Sequence, residues 1–148
     1  MCGIFFTCRA SNCECSSVRT LQECFYDSLV RRGPDKQSEC GQLDIGSFSC
    51  SFLATLLWLR GDHLKSQPLT NDDGHILLWN GDLFNVKFDE KMSDTKYLFD
   101  RLNGSDTEEK IRQVIASSQG PGAYVYYNSK FGKLWFGRDF FGDFLEFS

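Results

Sequence analysis

The chain has 148 residues, 41% of them hydrophobic, with fourteen Phe and three Trp. That is enough apolar side chain for one domain with its own core, and too much for a disordered segment. A net charge of −4 argues against a nucleic-acid-binding surface, and no apolar run approaches the length of a membrane-spanning helix.

In chain order, residues 2–8 read as a short strand that carries the N-terminus into a sheet, and residues 12–17 as a polar turn. Residues 20–29 read as a helix, with Leu21, Cys24, Phe25 and Leu29 on one face and Thr20-x-x-Glu23 as a capping box. Gly33 and Pro34 end it. Residues 47–59, rich in Phe and Leu, have the character of a strand buried on both faces. Asn71-Asp72-Asp73-Gly74 signals a turn into a strand over residues 76–79. Two helices follow. The first, over residues 94–102, would bury Tyr97, Leu98 and Leu102; the second would be capped by Ser105-x-x-Glu108 and bury Ile111, Val114 and Ile115. Gln119-Gly120-Pro121-Gly122 breaks that helix, and residues 123–127 and 134–136 form a hairpin. Strands, then helices, then strands predict an α+β fold of antiparallel sheets with helices packed outside.

The opening Met1-Cys2-Gly3-Ile4 has chemical content. Methionine is normally trimmed before a small residue, and trimming here leaves Cys2 with both a thiol and a free α-amine. The amine can take the proton as the thiol attacks a carbonyl. With an α-amine near about 7.7–8.0 and a thiol near about 8.5, neither group needs a large pKa shift for this. Seven cysteines without a secretory signal predict free thiols and a cytoplasmic chain. Cys13-x-Cys15 has no second pair at zinc-site spacing, and His63 and His75 are the only imidazoles, so no metal is expected. Cys24, Cys40 and Cys50 read as small core or half-buried residues.

Six motifs stand in a telling order: Met1-Cys2-Gly3-Ile4, Arg31-Arg32-Gly33-Pro34-Asp35, Gln67-Pro68-Leu69, Trp79-Asn80-Gly81-Asp82-Leu83-Phe84-Asn85, Ser93-Asp94-Thr95 and Gly137-Arg138-Asp139-Phe140-Phe141-Gly142. Over nearly the whole chain this resembles a class II glutamine amidotransferase domain of the asparagine synthetase family. The wording around Asn80-Gly81 and Arg138-Asp139 is most like the members described as asparagine synthetase domain-containing. The resemblance implies a four-layer αββα sandwich of the N-terminal-nucleophile hydrolase type. It also implies a reaction in which Cys2 attacks the side-chain amide of L-glutamine, releases ammonia and leaves a thioester for water to hydrolyse.

By the same resemblance, the Asn80 side chain and the Gly81 N–H form the oxyanion hole, and Asp94 takes the α-amine of glutamine. Read alone, Asn80-Gly81 is a tight turn after a strand, and Asp94 a helix cap. The Arg31–Asp35 motif either orders a loop near the nucleophile or is a surface basic pair, while Arg138-Asp139 closes a strand and is more often architectural. The family binds the α-carboxylate with an arginine that falls here on Leu56 or Leu57, leaving Arg60 as the nearest candidate.

The chain also stops at Ser148 without a Ser-Gly-Gly ATP loop. The expectation is therefore an incomplete amidotransferase domain over residues 2–148, truncated at its C-terminus, with a separate synthetase domain as ammonia acceptor. No cofactor, nucleic acid or membrane is called for. The alternative from another class is a catalytically silent amidotransferase fold that serves as a binding or regulatory module.

Overall fold

Strand β3 (Phe48–Leu56) shows most directly how composition becomes architecture in the computed structural model, which describes residues 2–12, 17–57, 66–87, 92–140 and 143–144. Phe52, Leu53, Ala54, Thr55 and Leu56 are successive and all buried, so both faces of the strand are covered. It pairs antiparallel with β1 (Gly3–Ala10) on one side and β2 (Lys36–Ile45) on the other, in the order β1-β3-β2. Helix α1 (Ser17–Arg32) packs on this sheet, where the Thr55 hydroxyl donates to the Leu29 carbonyl at 2.6 Å. These elements belong to the first of two compact units, Met1–Trp58 with Lys65–Pro68.

The second unit, Leu59–Leu64 with Leu69–Ser148, is built on a five-stranded antiparallel sheet. Its strands are β4 (Leu69–Thr70), β5 (Ile76–Gly81), β6 (Gly122–Asn128), β7 (Lys133–Phe140) and β8 (Asp143–Phe144), adjacent in that order. Between β5 and β6 the chain forms α2 (Asp94–Asn103) and α3 (Glu108–Ala116). Leu98, Phe99 and Leu102 of α2 and Ile111, Val114 and Ile115 of α3 pack against Leu77, Trp79, Tyr124, Tyr126 and Trp135 of the sheet. Full burial of each such side chain is worth about 1.5–3 kcal/mol, which makes this cluster the main stabilising feature of the unit.

The α+β class, with two antiparallel sheets and helices, is as the sequence predicts. One strand has no counterpart in the sequence reading, and four local expectations are corrected. Strand β2, with the sequence KQSECGQLDI, has no period-two alternation to reveal it, and its register slips between Cys40 and Gln42. Helix α1 starts at Ser17, so Thr20 lies inside it and does not cap it. Of its expected apolar stripe Leu29 is buried, whereas Cys24 and Phe25 are exposed; the side chain of Leu21 lies outside the described residues. Helix α3 is capped by Thr107, whose hydroxyl accepts from the Lys110 N–H at 3.2 Å, while Ser105 donates back to the Arg101 carbonyl. In α2 the buried set is Leu98, Phe99 and Leu102, with Tyr97 only half-buried.

A polar chain crosses the core of the second unit. The Asn128 amide, 1% exposed, donates to the Tyr126 hydroxyl at 3.1 Å, and that hydroxyl donates to Asn103 Oδ1 at 3.2 Å. Burial pushes the Tyr126 phenol up to about 12, against a smaller pull from the Asn128 amide, so it stays a neutral donor. Tyr126→Phe strands a buried amide donor and is expected to destabilise the chain by about 1–3 kcal/mol in urea unfolding.

Candidate active site

Cys2 sits at the entry to β1, half-buried, with its thiol 4.0 Å from the carbonyl of Leu57, the residue after β3. The pairing of Gly3 with Thr55 holds the two strand ends in register. Glycine is required next to Cys2 because a Cβ there would lie 2.6 Å from Thr55 Oγ1 and 3.0 Å from Leu29 Cδ2. Behind it, Arg32 Nε donates to the Cys2 carbonyl at 3.4 Å. The Gly33-Pro34-Asp35 segment then lies directly on β3, with the Asp35 N–H donating to the Leu56 carbonyl at 3.0 Å. Of the two readings of this motif, the geometry matches the ordered loop beside Cys2. Leu56 is 4% exposed and Leu57 half-buried, so the position expected to carry an arginine is apolar. Arg60 and Met1 lie outside the described residues.

Asn80 and Gly81 are not a turn. They are the last two residues of β5, paired with Ala123 and Gly122 of β6. The Asp82 N–H donates to the Pro121 carbonyl at 3.0 Å and the Phe84 N–H to the Gln119 carbonyl at 2.7 Å. Antiparallel ladders alternate bonded and non-bonded pairs, so the register that bonds Asp82 and Phe84 to this neighbour turns the Gly81 N–H away from β6. On that other side, the described ladder with β4 pairs no further along β5 than Leu77. Gly81 must be glycine for a steric reason: a Cβ would lie 2.6 Å from Gly122 Cα and 2.8 Å from the Trp79 ring.

The chain beyond Gly81 is braced by a residue whose part the sequence does not announce. The Asn85 amide donates to the Ser117 carbonyl at 2.8 Å, and its oxygen accepts from the Gln119 N–H at 3.2 Å. Gly120 completes the brace at φ +139°, where a Cβ would collide with the Asp82 carbonyl. Only the clustering of Asn85 with Asn80-Gly81 in one motif signals it.

Asp94 is the first residue of α2, and the cap itself is Ser93, whose hydroxyl accepts from the Lys96 N–H at 3.3 Å. The Asp94 carboxylate accepts from the Thr95 N–H at 3.1 Å. Burial raises its pKa above the ordinary carboxylate value and Asp82 adds to the rise, while the Thr95 and Leu83 N–H groups oppose it. Asp94 thus lies near residues 82–83, the segment that leaves Gly81. A half-buried carboxylate beside a second one offers a site for an ammonium group. Asn80, Gly81 and Asp94 therefore belong to the second unit and Cys2 to the first.

Arg138 and Asp139 lie within β7, which runs on to Phe140, and Arg138 pairs in register with Ala123. A polar hollow of about 630 Å³ opens at the far end of β5, lined in part by Asp73, His75, Asn103, Ser105, Asn128 and Ser129. It is separate from the Asn80-Gly81 end of the same strand. Among the described residues no group of three or more His, Cys, Asp or Glu side chains is placed to hold a metal ion, and no helix is long and apolar enough to cross a membrane. The Cys13-x-Cys15 pair and His63 lie outside the described residues.

Comparison with known proteins gives kinship over almost the whole chain. It is 36% identical over 144 residues to asparagine synthetase domain-containing protein 1 of Homo sapiens, and 36% identical over 143 residues to that of Bos taurus. Each match covers 96% of this chain and 22% of the relative. The asparagine synthetase domain-containing protein CG17486 of Drosophila melanogaster is 32% identical over 143 residues, which is 96% of this chain and 25% of that protein. The chain thus spans about a quarter or less of the length of these relatives, and no protein-family model matches it.

Two expected outcomes follow from the geometry. Gly81→Ala forces β5 and β6 apart at their tightest point and should cost about 1–3 kcal/mol in urea unfolding. A raised carboxyl pKa means the folded state holds the Asp94 proton more tightly than the unfolded chain. The stability from this group is full below the unfolded pKa and lost as pH rises through the folded one. Asp94→Asn should therefore unfold at higher urea than the parent at neutral pH, with the gap closing below about pH 4.

Proposed function

We propose, on the premise that this chain is asparagine-synthetase-like in sequence, that it is the glutamine amidotransferase domain of such a protein. The fold would be the four-layer αββα sandwich of N-terminal-nucleophile hydrolases, to which each unit brings a sheet with helix packed on it. After removal of Met1, the α-amine of Cys2 takes the thiol proton as sulfur attacks the side-chain amide carbon of L-glutamine. The C–N bond breaks, the nitrogen leaves as ammonia with the transferred proton, and water hydrolyses the thioester to glutamate. The ammonia would pass to a synthetase domain for asparagine formation in the cytoplasm. No cofactor is needed for the hydrolysis itself.

One observation carries this reading: Asn80-Gly81 ends a strand with the Gly81 N–H turned off the β6 ladder. A turn would not need the steric fit that excludes a Cβ there, whereas an oxyanion hole needs a fixed donor whose direction is set before reaction. Asp94, near the adjoining segment, would take the substrate's α-ammonium group.

A second reading is favoured by the apolar Leu56 and Leu57 at the place of the carboxylate-binding arginine. Losing a charged bidentate contact weakens substrate binding by about 1.5–3 kcal/mol, and the fold would then act as a silent binding module. Ammonia release from glutamine by the purified chain separates the two. The enzyme reading expects turnover that Cys2→Ala abolishes and Asn80→Ala lowers by about 10²–10³ in kcat, with Asp94→Asn acting mainly on KM. Glutamine turnover indistinguishable between the parent and Cys2→Ala would leave the silent module.

A further inference from the structure

Two other cysteines stand in an arrangement that the amidotransferase reading does not use. Cys8 of β1 and Cys50 of β3 are direct partners in the antiparallel ladder, flanked by Thr7 with Ser51 and Arg9 with Ser49. Directly opposed residues place their side chains on the same face, with Cα atoms about 4.5–5.5 Å apart, inside the range a disulfide spans. The two sulfurs are already 3.3 Å apart, with the Cys50 thiol donating to Cys8. One thiol is open and one is closed: Cys8 is exposed, and Cys50 is 1% exposed.

We infer that Cys8 and Cys50 form a redox-active dithiol that closes to a cross-strand disulfide by exchange with a low-molecular-weight disulfide. The exposed member reacts first. The Cys8 thiolate attacks the small disulfide, a Cys8 sulfur–sulfur bond forms, the old one breaks, and one small thiolate leaves. Cys50 then attacks the Cys8 sulfur, the mixed disulfide breaks, and the Cys50 proton goes to the second departing thiolate. The dithiol is oxidised and one small disulfide is reduced to two thiols.

The order of events agrees with the environments. Burial, with Cys8 beside it, pushes the Cys50 thiol up to about 12, which makes it the poorer nucleophile for the first attack. Register does the rest. The β1–β3 pairing runs from Gly3 with Thr55 to Ala10 with Phe48, so neither backbone segment need move far for the sulfurs to meet. Cys24, also exposed, is on α1 rather than in this ladder. The site is distinct from Cys2, which precedes the strand.

The test is to place the reduced, purified chain in oxidised glutathione, quench at intervals, alkylate, and map disulfides by mass spectrometry without reduction. The expected result is loss of two hydrogens with a linked Cys8–Cys50 peptide, forming at least about tenfold faster in the folded chain than in urea and reversed by dithiothreitol. Cys50→Ser should instead stop at one glutathione on Cys8, and Cys8→Ser should give no such linkage. A folded chain that forms no Cys8–Cys50 linkage, or forms it no faster than in urea, overturns the proposal. So does a first adduct on Cys50.

Discussion

The end of the β5–β6 ladder is the constraint from which the candidate site follows. Trp79, Gly81 and Gly122 pack so closely that neither glycine has room for a Cβ, and the Trp79 ring seals the contact. Because that packing fixes the register, the Asp82 and Phe84 N–H groups are committed to carbonyls of the 119–121 segment. The Gly81 N–H is thereby turned the other way, and a donor direction has been set by backbone geometry alone. Asn85 and Gly120 hold the following segment to the same neighbour, so the strand end cannot drift without breaking several bonds together.

The same segment reaches α2. Asp94 keeps a half-buried carboxylate near Asp82 although burial and charge both oppose its ionisation. Helix α2 does not need it as a cap, since Ser93 fills that position. The Asp94 carboxylate accepts instead from the Thr95 N–H in the first turn, and the proposed function adds the substrate's ammonium group as its partner. In the first unit, Cys2 is held by its strand register and by Arg32 on its carbonyl, while Gly3 lets α1 approach the sheet. The Arg31–Asp35 motif thus positions backbone, whatever its charges also do.

Legibility tracked how each element is stabilised. Strand β3, helix α3 and the β6–β7 hairpin carry their apolar period or turn residues in the sequence, and the structure matches them closely. Strand β2 is polar and interrupted, so ladder hydrogen bonds to β3 define it and no local pattern betrays it. The cap of α3 is hard to read because Ser105 and Thr107 are both competent; in the structure Ser105 donates back to the Arg101 carbonyl, and Thr107 accepts from the Lys110 N–H. At the site, the ordered motifs pointed to Asn80-Gly81 and Asp94, but the dipeptide alone reads as a turn. Its strand-end role depends on Gly122, far along the chain and legible only through pairing. The Cys8–Cys50 contact was hidden for the same reason, since only the β1–β3 register brings the two together.

The most direct test of the account is the intact mass of the purified chain before and after a diazo-ketone analogue of glutamine. The account predicts a chain without Met1 that gains one stoichiometric adduct, mapped to Cys2. A chain that retains Met1, or a trimmed chain left unlabelled where a known glutamine amidotransferase reacts, would contradict it.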